Sequence, residues 1–103
     1  MATLQEHQAK LQAKLEELFG SKNVYYQAPG RMNYPAIKYE LDDIENTHAN
    51  NLTYRVSRRY KVTVIDRLPD NPVIDKLLQL PMCSYDRHYV SDNLNHDVLT
   101  LYY

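Results

Sequence analysis

The sequence predicts a single α+β domain, in which a mostly antiparallel sheet carries two helices on one face in the order α-β-β-β-α-β-β. Three features support this fold class: an amphipathic stretch at the N-terminus, a long run of alternating apolar and polar residues in 53–66, and two strand-like segments at the C-terminus. The chain has 103 residues. That length supports one modest hydrophobic core, so we expect one domain over residues 1–103.

The first helix is predicted from Thr3 to Phe19. Thr3 and Glu6 have the spacing of a capping box, and Gly20 stands where a left-handed residue often ends a helix. The apolar stripe consists of Leu4, Leu11, Leu15, Leu18 and Phe19. A stripe this narrow favours packing across a sheet.

Two strands are expected next, within residues 22–28 and over Tyr34–Leu41, separated by a Pro29-Gly30 turn. Asp42–Leu52 then links the second strand to the third. This linker contains Asp42, Asp43 and Glu45 but no lysine or arginine. It is too polar for a core, so we expect a projecting loop or the distal tip of a long protruding β-hairpin.

The third strand is predicted over Thr53–Asp66, with alternate residues apolar: Tyr54, Val56, Tyr60, Val62 and Val64. At ~3.3 Å per residue it spans roughly 40 Å, more than a core of this size covers. Arg58 interrupts the apolar side. Either this side continues into a contact with another molecule, or a bulge near Ser57–Arg58 turns the arginine outward.

A second helix is expected after Asn71 as N-cap and Pro72 as first helical residue, ending at Leu80-Pro81. Its apolar residues are Val73, Ile74, Leu77 and Leu78. Met82–Ser91 and His96–Tyr103 are predicted to close the sheet as a hairpin around residues 92–95.

Composition excludes several classes of protein. The net charge of −1 is not that of a typical nucleic-acid-binding domain, and the single cysteine, Cys83, cannot form an internal disulfide. We expect no membrane span and no signal peptide, hence a chain that folds in the cytoplasm. Ten tyrosines against two glycines favour an assembling subunit, although strand propensity alone also favours tyrosine.

The C-terminal hairpin holds the best candidates for chemistry. They are Asp86, His88, Asp92, His96 and Asp97. Carboxylates with imidazoles suit a divalent metal that activates water, but these residues have no recognised ligand spacing, and a solvated hairpin end is the preferred interpretation. Cys83 with His88 or His96 is a still weaker candidate for a thiol–imidazole pair. We therefore expect no enzyme activity, no metal and no cofactor.

The long strand provides the best candidate for binding. Arg55, Arg59 and Lys61 share one parity, and Arg58 is a possible fourth member of this cationic group. We expect an oligomer interface in which these cations of one copy face Asp42, Asp43 and Glu45 of the next, head to tail. A solvated edge strand and a DNA contact are the alternatives.

Three segments carry a resemblance to a known family: YPAIKYELDD, the long strand leading into RLPDNP and a short helix, and CSYDRHYVSDNLNHDVLTLYY. With the N-terminal helix included, nearly the whole chain resembles small neck and tail-completion proteins of long-tailed bacteriophages, particularly the tail terminator type. Element order defines these families more than invariant residues do.

The resemblance implies a non-enzymatic homo-oligomeric ring, commonly six-fold, on the head-proximal end of the tail tube. Such a ring ends tail polymerisation and offers a surface to the head connector, while genomic DNA passes through its lumen. It is a virion component that is assembled in the host cytoplasm. A head-completion or adaptor protein of the phage neck is the alternative, followed by a small metal-dependent hydrolase.

Overall fold

The computed structural model describes residues 4–27, 31–49 and 52–102. Its elements are α1 (Leu4–Phe19), β1 (Val24–Tyr26), β2 (Ala36–Ala49), β3 (Leu52–Asp66), α2 (Val73–Leu78), β4 (Cys83–Ser91) and β5 (Leu94–Tyr102). The predicted α+β class and element order are confirmed. The predicted roles of Thr3, the Pro29-Gly30 turn and Tyr103 lie outside the described residues, as do the side chains of 4–5, 45–49 and 52–56.

The five strands form one sheet in the order β1-β2-β3-β5-β4. β1 runs parallel to β2, and every other neighbouring pair is antiparallel. Both helices pack on the same sheet face, because Leu11 and Leu15 of α1 join Val73 and Leu77 of α2 in one buried cluster. The sheet contributes Val24, Ile37, Tyr39, Tyr60, Val62, Val64, Leu99 and Leu101 to this cluster. We call this side of the sheet the helix face and the other side the open face.

The helix ends follow their local sequence signals. Gly20 has a φ of +72°, and its N–H donates to the Glu16 carbonyl at 2.9 Å, as expected for a left-handed residue that ends α1. Asn71 Oδ1 accepts from the Val73 N–H at 2.9 Å, which satisfies a free donor at the start of α2. α2 is shorter than predicted and ends at Leu78.

The polar segment that starts at Asp42 continues β2 and is not a loop. Residues up to Ala49 pair with β3, and Ala49 lies opposite Leu52. Of the two alternatives for Arg58, a bulge near Ser57–Arg58 is wrong: that part of β3 is in regular register, and a shift falls between Leu41 and Asp43. A second irregularity lies between Thr47 and His48. Whether the hairpin protrudes stays a prediction, because residues 50–51 lie outside the described part of the chain.

The bulge at Asp42 keeps the apolar residues of β2 on one side. Leu41 lies opposite Tyr60, and Ile44 lies opposite Arg58, although three positions separate Leu41 from Ile44 in the sequence. In a strand without a bulge, residues three apart point to opposite faces. The extra residue therefore returns Ile44 to the helix face.

The closing hairpin has a tighter turn than predicted. Asp92 and Asn93 have φ values of 53° and 62°, the positive pair expected of a type I′ turn, and β5 begins directly after them at Leu94. β4 forms the sheet edge and carries a register shift between Tyr85 and Arg87, so Asp86 is the extra residue. Eight of the nine β4 residues are exposed. This edge is therefore interrupted by a charged bulge, which deters regular pairing with another strand.

Candidate functional site

Among the charged residues predicted to form an interface, Arg59, Asp42 and Asp43 meet on the open face, whereas Arg58 lies on the helix face. On the open face, Arg59 Nε lies 2.8 Å from Asp42 Oδ2, and Arg59 Nη2 lies 3.7 Å from Asp43 Oδ2. Hydrogen bonds to Tyr102 and Asp42 raise the pKa of Arg59. The Asp42 bulge makes this arrangement possible because it sets two carboxylates beside one guanidinium.

These partners meet within one chain, whereas the sequence predicted that they meet between copies. The side chains of Arg59, Asp42 and Asp43 are 32%, 37% and 48% exposed, and solvent screening leaves such pairs little effect on stability. Exchange of these pairs between copies stays a prediction. The other residues predicted for the interface between copies are placed by backbone register: Glu45 is opposite Ser57, Arg55 opposite Thr47, and Lys61 opposite Glu40.

Arg58 lies on the helix face near the middle of β3, beside the part of the strand that is buried. Its Nε is buried and has no hydrogen-bond partner among the described residues. Tyr60, two positions further along β3, is 1% exposed, whereas Ile44, opposite Arg58, is 39% exposed. Arg58 therefore lies at the boundary between the buried core and the exposed apolar side chain of Ile44. A buried donor without an acceptor costs about 1–3 kcal/mol, so this position calls for an acceptor from outside the described chain.

A chain of hydrogen bonds holds α1 on the sheet. Gln8 Nε2 donates to the Tyr39 hydroxyl at 2.6 Å, and that hydroxyl donates to Gln12 Oε1. Gln12 Nε2 in turn donates to the Val24 carbonyl at 2.8 Å. Tyr39 is fully buried, and burial raises its pKa. Sequence analysis missed this network; its only signal was polar Gln8 and Gln12 beside the leucine stripe of α1.

Tyrosines occupy the interior as well as the surface. The Tyr39 ring packs on Tyr26 and Tyr60, with centroids 5.1 and 6.3 Å away, and the His7 ring stacks parallel to Tyr60 at 6.4 Å. Burial also raises the pKa of Tyr60. Tyrosine richness is therefore partly a property of the core, and composition alone does not define an assembly surface.

The acidic and histidine residues of the last hairpin do not gather at one site: His88 contacts Asp97, but His96 lies on the other face. His88 Nδ1 and the Tyr85 hydroxyl lie 2.9 and 2.7 Å from the same Asp97 oxygen, Oδ1, on the helix face. His96 faces the open side, where its ring stacks on Tyr89 with centroids 4.6 Å apart. Within the described residues, no group of three histidine, cysteine, aspartate or glutamate side chains is placed to hold a metal.

The pKa values of Tyr85 and Cys83, which lie near this hairpin, are raised. The hydrogen bond to Asp97 raises the pKa of Tyr85 to about 12, because loss of the proton would place two negative charges together. Burial raises the pKa of the Cys83 thiol, which lowers its thiolate fraction at neutral pH. Asp97 is 7% exposed and is the acceptor that organises Tyr85 and His88. This arrangement orients the His88 imidazole.

In comparisons with known proteins, no family model matches the chain and no curated protein matches it significantly. None of the described helices combines the length and the apolar character that a membrane crossing requires.

Proposed function

We propose that this chain is a structural subunit of the neck of long-tailed bacteriophages that forms a ring on the head-proximal end of the tail tube. In this role it ends tail polymerisation and joins the tail to the head connector. Its partners are further copies of itself in a closed, six-fold ring, the tail tube protein and a connector protein. Genomic DNA passes through the lumen without sequence-specific contacts, and the protein resides in the virion after assembly in the host cytoplasm.

The unpartnered Nε of Arg58 is the single observation that carries the proposal. A buried guanidinium nitrogen without an acceptor is costly in a chain that functions alone. The cost is removed when the Arg58 side chain turns outward and its guanidinium binds a carboxylate or carbonyl of a second protein chain. Ile44, exposed and opposite Arg58, supplies apolar surface for the same contact.

The extent of strand pairing also supports a subunit that is completed by others. β5 pairs with β3 only as far as Tyr102, which lies opposite Arg59. Before that point, the described residues of β3 pair with β2 alone. A two-stranded ribbon is marginally stable in water unless another layer covers it. Contact with neighbouring copies or with the tail tube would provide that layer.

The proposal is tested by measuring the assembly state of the purified protein by multi-angle light scattering, alone and after mixing with tail tubes. Electron microscopy of the same mixtures then locates the protein. We expect rings at one end of each tube, and tubes that no longer elongate when tube protein is added. A protein that stays monomeric at high concentration and also leaves tubes unbound contradicts the proposal. Binding at the portal and not at the tube end would instead identify a head-completion role.

A further inference from the structure

We propose that Arg58 of one copy inserts into an acidic cavity on the next copy, formed by Asp70, Asn71, Ile74 and Asp75. The contact rests on the proposed function, because it assumes that copies of the chain assemble. It adds the two surfaces that meet and their chemistry. Arg58 and Ile44 form the donor surface, and the cavity with the neighbouring Leu68 forms the acceptor surface.

Within the described part of the chain, the donor surface lacks an acceptor for Arg58 Nε and a cover for Ile44, and a partner can supply both. Arg58 Nε has no acceptor among the described residues, and the apolar side chain of Ile44 is exposed. Arg59, the next residue, contrasts with this because it already contacts Asp42 and Asp43 on the open face. A guanidinium binds a carboxylate more strongly than a neutral acceptor, so the complementary surface is expected to be acidic.

The acceptor surface has the matching charge. The cavity has a volume of about 190 Å³, large enough to admit an arginine side chain, and carries two aspartates. None of the ion pairs found in the described part of the chain involves Asp70 or Asp75. Asn71 already binds the Val73 N–H through its oxygen and Asp66 through its nitrogen. The two carboxylates are therefore the acceptors available to an incoming cation.

Apolar groups accompany the charges on both surfaces. Ile74 lines the cavity and packs partly against the hydrophobic core. Leu68, two residues before Asp70, is 71% exposed, the highest value among the large hydrophobic residues described. Ile44 beside Arg58 would contact this apolar surface as the guanidinium enters the cavity. Exclusion of water by such a contact strengthens the charge pair that it surrounds.

Arg58 lies near the middle of β3 and the cavity lies beyond its C-terminal end, so one copy cannot satisfy itself. Arg58 is eight residues from Asp66, the last residue of β3, and the cavity follows directly in the chain. At ~3.3 Å per residue these positions are roughly 26 Å apart. A contact between two different surfaces of a subunit is heterologous, and its repetition yields a ring or a filament.

The exposed edge strand β4 is a weaker candidate for the contact between copies. The bulge at Asp86 changes which residues share a face, because Tyr85 lies opposite Leu99 and Arg87 opposite Val98. Two β4 edges therefore cannot pair over their whole length with matching faces. The described residues of this edge do not specify a partner, whereas the positive charge of Arg58 and the negative charge of the cavity are complementary.

Complementary variants provide the test. One variant is Arg58→Glu, and the other combines Asp70→Asn with Asp75→Lys; asparagine is used at residue 70 because the backbone there has a φ of +59°. Each variant alone places like charges at every contact, so we expect the concentration required for assembly to rise at least about tenfold. A 1:1 mixture restores assembly. In the mixture, the introduced glutamate of one variant meets the introduced lysine of the other, and the native Arg58 and Asp75 meet at the alternate contacts. Light scattering and electron microscopy on tail tubes measure both effects.

Matched controls reverse charges elsewhere on the exposed surface. Arg31→Glu matches the charge change of Arg58→Glu, Glu17→Lys matches that of Asp75→Lys, and both controls should assemble as the wild type does. Circular dichroism melting curves confirm that every variant is folded. If the wild type forms rings but the two variants assemble alone, or their mixture does not assemble, the proposed contact is wrong and the ring remains. If the wild type forms no assembly with or without tubes, the proposed function itself fails.

Chemical cross-linking tests the same contact without a change of charge. In a Cys83→Ser background, one preparation carries Ile44→Cys and a second carries Leu68→Cys. We expect a short bis-maleimide to join the two preparations into covalent dimers only when they are mixed. Dimers within either single preparation would indicate a two-fold contact and would overturn the head-to-tail arrangement.

Discussion

Arg59 and Asp42 form an ion pair across the β2–β3 ladder, with 2.8 Å between Nε and Oδ2, and Asp42 is the extra residue of a β-bulge. The same bulge returns Ile44 to the helix face, opposite Arg58. The inserted residue thus sets two carboxylates beside Arg59 on the open face, whereas the Arg58 Nε on the helix face has no partner among the described residues. The two neighbouring arginines of β3 have different environments because successive residues of a strand point to opposite faces and the bulge sets their β2 neighbours.

The bulge can be tested by deleting Asp42. Deletion leaves Asp43 opposite Arg59 and Ile44 opposite Arg58 in a ladder without interruption, so the faces of both strands are unchanged. We expect the free energy of unfolding to change by less than about 1 kcal/mol, since no buried contact is lost. Chemical denaturation measures this value.

Deletion of Glu40 is the matched control, because it removes one residue of the same strand before the bulge. It places Leu41 opposite Lys61 on the open face and Asp42 opposite Tyr60 against the core. A loss of more than about 2 kcal/mol is expected. Equal losses for the two deletions would show that the bulge at Asp42 does not set the register.

Replacement of Arg58 by methionine should stabilise the isolated chain. Methionine keeps the apolar stem and removes a buried nitrogen for which the described residues supply no acceptor, so the free energy of unfolding should rise by about 1 kcal/mol. The same substitution should weaken assembly on tail tubes. Denaturation measures the first effect and sedimentation with tubes the second.

Arg59→Met provides the comparison for Arg58→Met. Arg59 already pairs with Asp42, so its replacement should lower stability slightly, in the opposite direction to Arg58→Met. A chain that is destabilised by Arg58→Met as much as by Arg59→Met would show that Arg58 has an acceptor within its own subunit.

Tyr39→Phe should destabilise the contact between α1 and the sheet. The substitution leaves Gln8 Nε2 and Gln12 Oε1 without their common partner in a partly buried position. The expected loss is about 1–3 kcal/mol in the free energy of unfolding. The control is Tyr25→Phe, since the Tyr25 hydroxyl accepts a hydrogen bond at 3.2 Å from the N–H of Asn33, which is exposed. Its effect should be within about 0.5 kcal/mol, and similar losses for both variants would contradict a structural role of the network.

The hydrogen bond between Tyr85 and Asp97 should make stability depend on alkaline pH. The folded chain holds the Tyr85 proton with a pKa of about 12, whereas an unfolded tyrosine titrates near about 10. The folded state therefore binds this proton more tightly. Its contribution to stability is fully present below pH ~10 and disappears as the pH rises through ~12.

Denaturation curves of the wild type and Tyr85→Phe over this range measure the effect. The difference in stability between the two proteins should shrink as the pH rises, and the ultraviolet absorbance of tyrosinate should report Tyr85 ionisation at lower pH in Asp97→Asn. An unchanged titration in Asp97→Asn would show that Asp97 does not hold the Tyr85 proton. Because Tyr85 is 45% exposed, the stability change should be small.

Local sequence patterns determined much of the fold. The leucine stripe of α1, the alternation along β3 and the Gly20 signal predicted elements that the structure contains, because period and capping depend on neighbouring residues. Alternation also singled out Arg58 as an interruption of an apolar face. For the polar segment after Asp42, local patterns left a projecting loop and the distal tip of a long hairpin as alternatives, and pairing with β3 holds this segment as a strand up to Ala49.

Only the tertiary structure decided which residues meet. The bulge at Asp42 paired this residue with Arg59 of the same chain, and the register of β4 with β5 put His88 and His96 on opposite faces. Gln8 and Gln12 of α1 form hydrogen bonds with the Tyr39 hydroxyl across the helix–sheet contact. Periodicity within a segment cannot supply this information, because register and bulges are set by the partner strand. For the same reason, only the folded chain shows that Arg58 has no acceptor within the described residues.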